Sequence, residues 1–384
     1  MSPRTELVVA REPDPFSDFR VDTTTHVLSA VAGKVPSLWI RLGALETQAV
    51  ERQLRPLTLQ APVFVSGLAR AGSTLLLEYL AAHDGAATHR YRDFPFVLIP
   101  YWWNRLLDST PRHDVKPAER AHRDGVVITP ESPEAMEEIV WCTFLPRLHD
   151  PSTSNVLDAA ARHPAFERFY RDHIRKLLLV RRGKRYVAKN NYDIVRLAYL
   201  RRLFPDCRFV IPLREPSSHI ASLIKQHRLF CRAQRCHPRA RAYLRHMGHF
   251  EFGLDRSPIN AGDSDTVSEI RALLERGDEV RGLARYWAHV YGYVSRLRDQ
   301  NPDIRDAGLV VRFEELCERP ASVLERISAH CGLHLSTDAA AAFASRVRYP
   351  RYYRPSFSDQ ELAAIHEETS EVAARFGYSP RPQT

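Results

Sequence analysis

The sequence predicts an α/β protein in three layers, with a central parallel sheet flanked by helices. Two observations lead there. Short apolar runs alternate with longer segments of helical periodicity, the order that builds parallel strands joined by crossover helices. The first of those runs, in "VFVSGLARAGSTLLLEYL", passes through a glycine-bearing turn directly into a helix. At 384 residues the chain makes one large α/β domain with additions, or two smaller domains. It carries no internal repeat and no low-complexity tract.

In chain order, residues 1–23 read as extended, with Pro3, Pro13 and Pro15. "THVLSAVAGKVPSLWIRLGALETQAVERQL" supplies one or two amphipathic helices before Pro56. They dock on the main domain, lie on a membrane or pair with a second subunit as a homodimer, and docking is preferred. Val63–Ser66 is the first strand, bounded by Pro62 and Gly67, and its helix runs from Gly72 to about His83. The aromatic-rich "VLIPYWWNRLLD" follows, then helical patterns over Ser132–Leu145 and Ala165–Arg181. "RYVAKN" and "CRFVIPL" are strands, each followed by a helix, "IVRLAYLRRLF" and "SSHIASLIKQHRLF". An Arg-, His- and Pro-rich stretch from Cys231 to about Asp265 reads as an insertion with a short helix. "EVRGLARYWAHVYGYVSRLRDQ" is a strong helix, "GLVVRFEEL" a fourth strand leading into helix "PASVLERISAHCG", and Asp359–Phe376 closes the chain as a helix. The expected organisation is a helical extension over 1–60 and a main domain over 61–380, interrupted at about 231–265.

Composition narrows the function. No apolar run approaches the ~20 residues that span a bilayer, and the first residues carry charges inside their apolar stretch, unlike a signal peptide. A cytoplasmic enzyme is the expectation. The six cysteines contain no CxxC pair and read as reduced. The net charge of +9 is nearly all arginine, so each of the six lysines is more informative than usual. A basic balance favours anionic ligands. Nucleic acid is not expected as a partner, because no basic stripe is interleaved with aromatics and no zinc-finger or RNA-binding pattern occurs. His227, His237, His246 and His249 match no zinc spacing, and no metal is expected.

Gly67 and Gly72 have the spacing of a phosphate-binding loop, G-x-x-x-x-G-K-[ST], but Ser73 occupies the lysine position. Such a P-loop-like turn presents backbone N–H groups and the positive end of a helix dipole to an anion. Ser73 and Thr74 add hydroxyl donors, and Arg70 adds a charge. A second stretch, "RFVIPLREPSSHIASLIKQH", places Arg214 at the end of a buried strand, with Ser217–Ser218 capping the next helix and Ser222 on its face. Arg214 and Ser222 converging near the sheet edge suit a second phosphate.

Together the two stretches resemble the sulfotransferases that use 3′-phosphoadenosine 5′-phosphosulfate (PAPS), in the branch similar to tyrosylprotein sulfotransferases. The resemblance spans about Ala61 to Tyr378 and includes "VVRFEEL" as the family's late strand. It implies that Arg70, Ala71, Gly72, Ser73 and Thr74 hold the donor's 5′-phosphosulfate, and that Arg214 and Ser222 hold its 3′-phosphate. PAPS has no γ-phosphate, so a loop with Ser73 in the lysine position suits it. The resemblance further implies that Lys189, in "VAKNN", stabilises the leaving oxygen as the S–O bond breaks. Arg70 is counted with the catalytic residues. Asp93, in "HRYRDFPF", is the carboxylate expected to take the acceptor's proton, with His89 as runner-up. Two departures stand out: the small-molecule branch has Lys where this chain has Arg70, and Trp where it has Leu75.

The acceptor is a small molecule, carbohydrate, lipid or peptide bearing a hydroxyl or amine. Tyr101, Trp102, Trp103 and Trp141 offer aromatic surface for it, and the 231–265 insertion is the expected lid. "GHFEFGLDR" within the insertion carries no readable chemistry. The rival readings are a P-loop kinase of small molecules and a non-catalytic nucleotide-binding protein.

Overall fold

The computed structural model describes residues 14–110, 116–349 and 356–378. The extended start expected over 1–23 lies partly outside them. Among the described residues seven short strands occur: β1 (Val63–Val65), β2 (Ala86–Ala87), β3 (Ala118–Glu119), β4 (Val127–Ile128), β5 (Arg185–Lys189), β6 (Arg208–Leu213) and β7 (Gly308–Arg312). Five form a sheet in the order β2-β5-β1-β6-β7, and each neighbouring pair is parallel. From β1 the chain goes to the edge strand β2, then inserts β5 between the two, and later crosses to the other side of β1 for β6 and β7. β1 therefore lies at a switch point, where the crevice at the carboxyl ends of open α/β sheets binds ligands.

Alternation along the strands produces the three layers. Phe64, Tyr186, Ala188, Phe209 and Ile211 face one side, against Phe166, Tyr170, Tyr199 and Trp287. Val63, Val65, Val187, Val210 and Val311 face the other, against Leu76, Leu80, Val323 and Ile327. The latter four lie on the helices Ser73–Ala81 and Pro320–Cys331. A third cluster gathers Phe19, Ala69, Ile220, Phe230, Phe252 and Leu283 beside the loop after β1.

Several boundaries differ from the expectation. The helix after β6 runs through Pro216–Cys236, because no proline or glycine stops it before Pro238. The insertion therefore begins at His237, with a short helix over Pro238–His246. "VVRFEEL" is not strand throughout: β7 stops at Arg312 and Phe313–Glu318 is helical. Ser217 and Ser218 do not cap the helix after β6. The side chain of Glu215 accepts from both their N–H groups, at 3.1 and 2.8 Å.

The first helices are Thr23–Lys34, Pro36–Ala49 and Glu51–Leu54. The second docks on the helix Pro164–Arg181 through a buried ion pair, Lys176 Nζ to Glu46 Oε2 at 2.7 Å. Lys176 Nζ also donates to Gly43 O at 2.9 Å, and Glu46 Oε1 accepts from the Trp102 N–H at 2.6 Å. Gly43 permits this approach, since a Cβ there would lie 2.6 Å from the Phe169 ring. Among the described residues, no helix is long and apolar enough to cross a membrane.

Candidate active site

The loop after β1 is held from several directions. Ser66 Oγ donates to Asn190 O at 2.6 Å, tying the loop to the end of β5. The Leu68 N–H donates to Tyr291 Oη at 3.2 Å, and that hydroxyl donates to Pro212 O at 3.1 Å. His219 Nε2 donates to Ala69 O at 2.8 Å. Burial pushes the His219 pKa down to about 3, so the ring is neutral and holds its proton on that nitrogen. Both glycines are needed. A Cβ on Gly67 would lie 2.6 Å from Pro212 O, and Gly72 has φ +96 with the Phe313 ring 2.8 Å from where its Cβ would be. Arg70 takes φ +74 without being glycine, a strained backbone of the kind that clusters at functional sites.

Register then brings the separate motifs together. Val65 pairs with Lys189 on one side and Val210 on the other, so Lys189 and the residues after β6 emerge beside the loop. Arg214 Nη1 donates to Arg70 O at 3.3 Å, and its guanidinium lies 5.0 Å over the Phe313 ring. Arg70 Nε donates to Ser222 Oγ at 3.3 Å. Arg70, Arg214 and Ser222, read from two distant stretches, therefore share one corner of the sheet edge. Ser73 is buried at the start of its helix, with Oγ 3.5 Å from Asn191 Oδ1.

In front of this edge lies a cavity of about 400 Å³. Arg70, Ser73, Thr74, Lys189 and Asn191 line its inner end. Phe230, Met247 and Phe252 form an apolar wall, and Phe19 and Val21 close it from the N-terminal segment. Burial pushes the Lys189 pKa down, while Glu251 and Glu134 oppose that shift.

Asp93 does not reach this cavity, which corrects the expectation that it is the base. It is fully buried in the turn Tyr91–Asp93. Oδ1 accepts from Arg181 Nη2 at 2.5 Å and Asn104 Nδ2 at 2.8 Å, and Oδ2 from the Arg90 N–H at 2.9 Å. Burial alone would raise its pKa. The bond from His89 and the charge of Arg181 overcome that and hold the carboxyl well below the usual range. His89 is no better placed: its two ring nitrogens face Asp93 Oδ2 at 3.3 Å and His173 Nε2 at 3.1 Å. The pair belongs to the packing of the helix Pro164–Arg181.

Glu134, which no motif marked, does line the cavity, together with Asp18, Asp22, Glu119 and Glu251. Its N–H bonds His89 O at 3.0 Å, and neighbouring Pro133 bridges to Arg90, so this stretch is extended rather than helical as expected. Burial raises the Glu134 pKa, but Lys189, His249 and a hydrogen bond from Tyr91 outweigh it, and the net shift is downward. "GHFEFG" also reaches the cavity. His249 Nδ1 stands 3.3 Å from Glu251 Oε2, and Asn191 Nδ2 donates to Glu251 Oε1 at 2.6 Å. Desolvation lowers the His249 pKa, yet Glu251 reverses this and the net shift is upward. The expected aromatic pocket is not formed: Trp141 is fully buried in the core, and Trp103 Nε1 donates to Arg92 O.

A parallel sheet with a glycine-bearing strand–loop–helix at its switch point defines an α/β protein of P-loop-like fold. The sulfotransferase family profile matches residues 62–252, from β1 through Ser222 to the cavity wall, and the chain belongs to that family. Similar solved structures include a sulfotransferase from Mycobacterium tuberculosis, 17% identical over 94% of each chain, with a TM-score of 0.44. A sulfotransferase from Mycobacterium avium is 15% identical over 87% of this chain and 82% of its own, with a TM-score of 0.49. The sulfotransferase domain from the curacin biosynthetic pathway is 13% identical over 84% of this chain and 99% of its own, with a TM-score of 0.39. Among curated proteins, none matches the chain.

Proposed function

We propose that the chain transfers a sulfonate from PAPS to a hydroxyl or amine of an acceptor held in the cavity. The observation that carries this reading is the meeting of Arg70, Arg214 and Ser222 beside the loop, with Lys189 at the next strand end. A donor with a 5′-phosphosulfate and a 3′-phosphate needs two anion subsites close together, and this corner has the residues for both. Ser73 in the lysine position suits a donor without a γ-phosphate.

When bound, the donor would supply an activated sulfonate on its 5′-phosphate. Ala71, Gly72, Ser73 and Thr74 would present N–H and hydroxyl donors to that end, with Arg70 beside them. Arg214 and Ser222 would read the 3′-phosphate. Lys189 would balance the charge left on the phosphate oxygen. Glu134 replaces Asp93 as the proposed base: it faces the cavity, half-buried, and a proton from the acceptor's hydroxyl or amine would pass to its carboxylate. The apolar wall selects an acceptor with an apolar body next to its nucleophile.

Thermal unfolding with nucleotides tests the reading. Adenosine 3′,5′-bisphosphate should raise the Tm without added magnesium, by ordinary linkage, and ATP should do so weakly. A magnesium-dependent shift with ATP, and none with the bisphosphate, would instead favour a kinase.

A further inference from the structure

Eleven large apolar side chains are exposed among the described residues, and seven of them gather on three neighbouring helices. Val27 and Val31 lie on Thr23–Lys34, Val35 joins it to the next helix, and Leu38 and Leu45 lie on Pro36–Ala49. Trp102 and Leu106 belong to the helix Pro100–Ser109. All seven are 36–56% exposed. Single exposed apolar residues are ordinary, whereas a cluster of them marks an interaction surface.

Helical spacing puts these side chains on outward faces. In Thr23–Lys34 the buried Ser29 is two residues from both Val27 and Val31, on the opposite side of the helix. In Pro36–Ala49 the buried Gly43 and Glu46 dock on Pro164–Arg181, while Leu38, Arg41 and Leu45 share the free side at i, i+3 and i+7. In Pro100–Ser109 the buried Asn104 faces inward, and Trp102, Arg105 and Leu106 face out. The bond from the Trp102 N–H to Glu46 Oε1 holds these last two helices side by side, and both rest on Pro164–Arg181. Their outward faces therefore adjoin.

Charge selects the occupant. Exposed Lys34, Arg41 and Arg105 stand among the apolar side chains. From residue 23 to residue 50 the one acid is Glu46, sealed in its pair with Lys176. The acids nearest in sequence stand at helix ends: Asp22 caps a helix, and Glu51 and Asp108 pair with Arg55 and Arg92. A second copy of the chain docked here would set the patch against itself, bringing two sets of cations together with no exposed acid between them. Apolar side chains, a tryptophan and cations without acids are instead the composition of helices that lie in the surface of an anionic membrane.

We propose that the outer faces of these three helices form a docking surface for an anionic lipid bilayer, which the chain binds in the plane without crossing it. Leu38, Leu45 and Trp102 enter the acyl-chain boundary, and Lys34, Arg41 and Arg105 pair with lipid phosphates. None of these six residues lines the cavity, so the surface stands or falls independently of the transfer reading.

Co-sedimentation of the full chain with vesicles tests this. It should bind phosphatidylcholine vesicles that contain phosphatidylglycerol, bind pure phosphatidylcholine far less, and release as salt rises. Lys34→Gln with Arg41→Gln should weaken binding to the anionic vesicles about twenty-five-fold, since each cation near such a surface is worth about fivefold. Leu38→Ser with Leu45→Ser should weaken it about tenfold or more. All four side chains are exposed, so both variants keep the fold, which matching thermal unfolding curves verify. Absence of binding, or equal binding to both kinds of vesicle, overturns the proposal, as does wild-type affinity in both variants. If the wild type ignores vesicles and forms a dimer that Leu38→Ser with Leu45→Ser dissociates, the face belongs to a second copy and the proposal fails.

Discussion

Asp93 and Glu134 both sit beside His89, the first through its carboxylate and the second through its backbone N–H, yet their surroundings differ. Asp93 is sealed behind Arg181, Asn104 and a backbone N–H, so its loss should be felt in stability. Asp93→Asn leaves Arg181 buried without its partner and should cost about 3–5 kcal/mol in urea unfolding. Glu134→Gln removes a charge that Lys189, His249 and Tyr91 stabilise, so it should cost some stability, though less than Asp93→Asn, and it should lower turnover about a hundredfold or more, the usual weight of a general base. Turnover is read by mass spectrometry, as sulfonate gain on whichever host metabolite the enzyme modifies. Full turnover in Glu134→Gln would remove it as the base. Arg214→Ala should weaken the bisphosphate about ten- to a hundredfold while leaving adenosine 5′-monophosphate nearly unchanged. Equal losses for both nucleotides would mean that Arg214 does not read the 3′-phosphate. His219 supplies a pH signature. Its pKa falls from 6.5 unfolded to about 3 folded, so its contribution is complete above pH 6.5 and is lost as the pH falls. Relative to His219→Gln, the wild type should lose about 1.4 kcal/mol per pH unit below that point. Parallel stability curves from pH 7 to 5 would show that the ring is not held neutral.

Among the elements, the helix Pro36–Ala49 depends on a charge pair that has no exposure to water: Glu46 and Lys176 are 0 and 1% exposed at the side chain. Lys176→Met strands the Glu46 carboxylate and should cost about 3–5 kcal/mol, whereas Lys176→Met with Glu46→Gln should recover much of that loss. Chemical denaturation of the three proteins gives the comparison, and an additive double variant would mean that the pair does not interact. The same comparison of elements shows what sequence could reveal. β1, β5, β6 and β7 were legible because their faces are buried against helices, which demands near-continuous apolar runs. β2 is two alanines at the sheet edge, and β3 and β4 are two residues each, too short for any periodicity. That the loop, Arg214 and Ser222 would meet at one sheet edge could be read, because each follows a strand end at fixed local spacing. Glu134 could not: "ITPESPEAMEEIV" offers four glutamates, and only the bridge between Arg90 and Pro133 turns this one toward the cavity. Asp93 misled for the converse reason, since the partner that buries it, Arg181, is 88 residues away.

At the scale of the whole molecule, the cavity is closed by chain ends and insertions rather than by the sheet. Phe19 packs edge-on against Phe230, with ring centroids 5.1 Å apart, and Arg123, between β3 and β4, pairs with Asp18 at 2.7 Å. This closure should open without the sheet unfolding, as weakly anchored units of a protein do. Phe19→Ala should speed hydrogen exchange over residues 17–34 while protection of β1, β5 and β6 stays within error. Loss of protection in the strands as well would make the closing segment part of the main folding unit.

The central place of β1 also sets a timetable for making the protein. Its partners begin at Arg185 and Arg208, so Val63–Val65 leaves the ribosome with no strand to pair with. The gap from Val65 to Arg185 is 120 residues, which at about 5–20 residues per second takes roughly 6–24 s. Throughout that interval an apolar strand and the loop beside it wait unpaired, the condition in which strands are prone to wrong association. Ribosome-bound chains ending near residue 180 should therefore be cut readily by protease around Val63–Leu80, and chains long enough to expose β6 should resist. The loop after β1 would thus be among the early parts of the site to be synthesised and among the last to take shape.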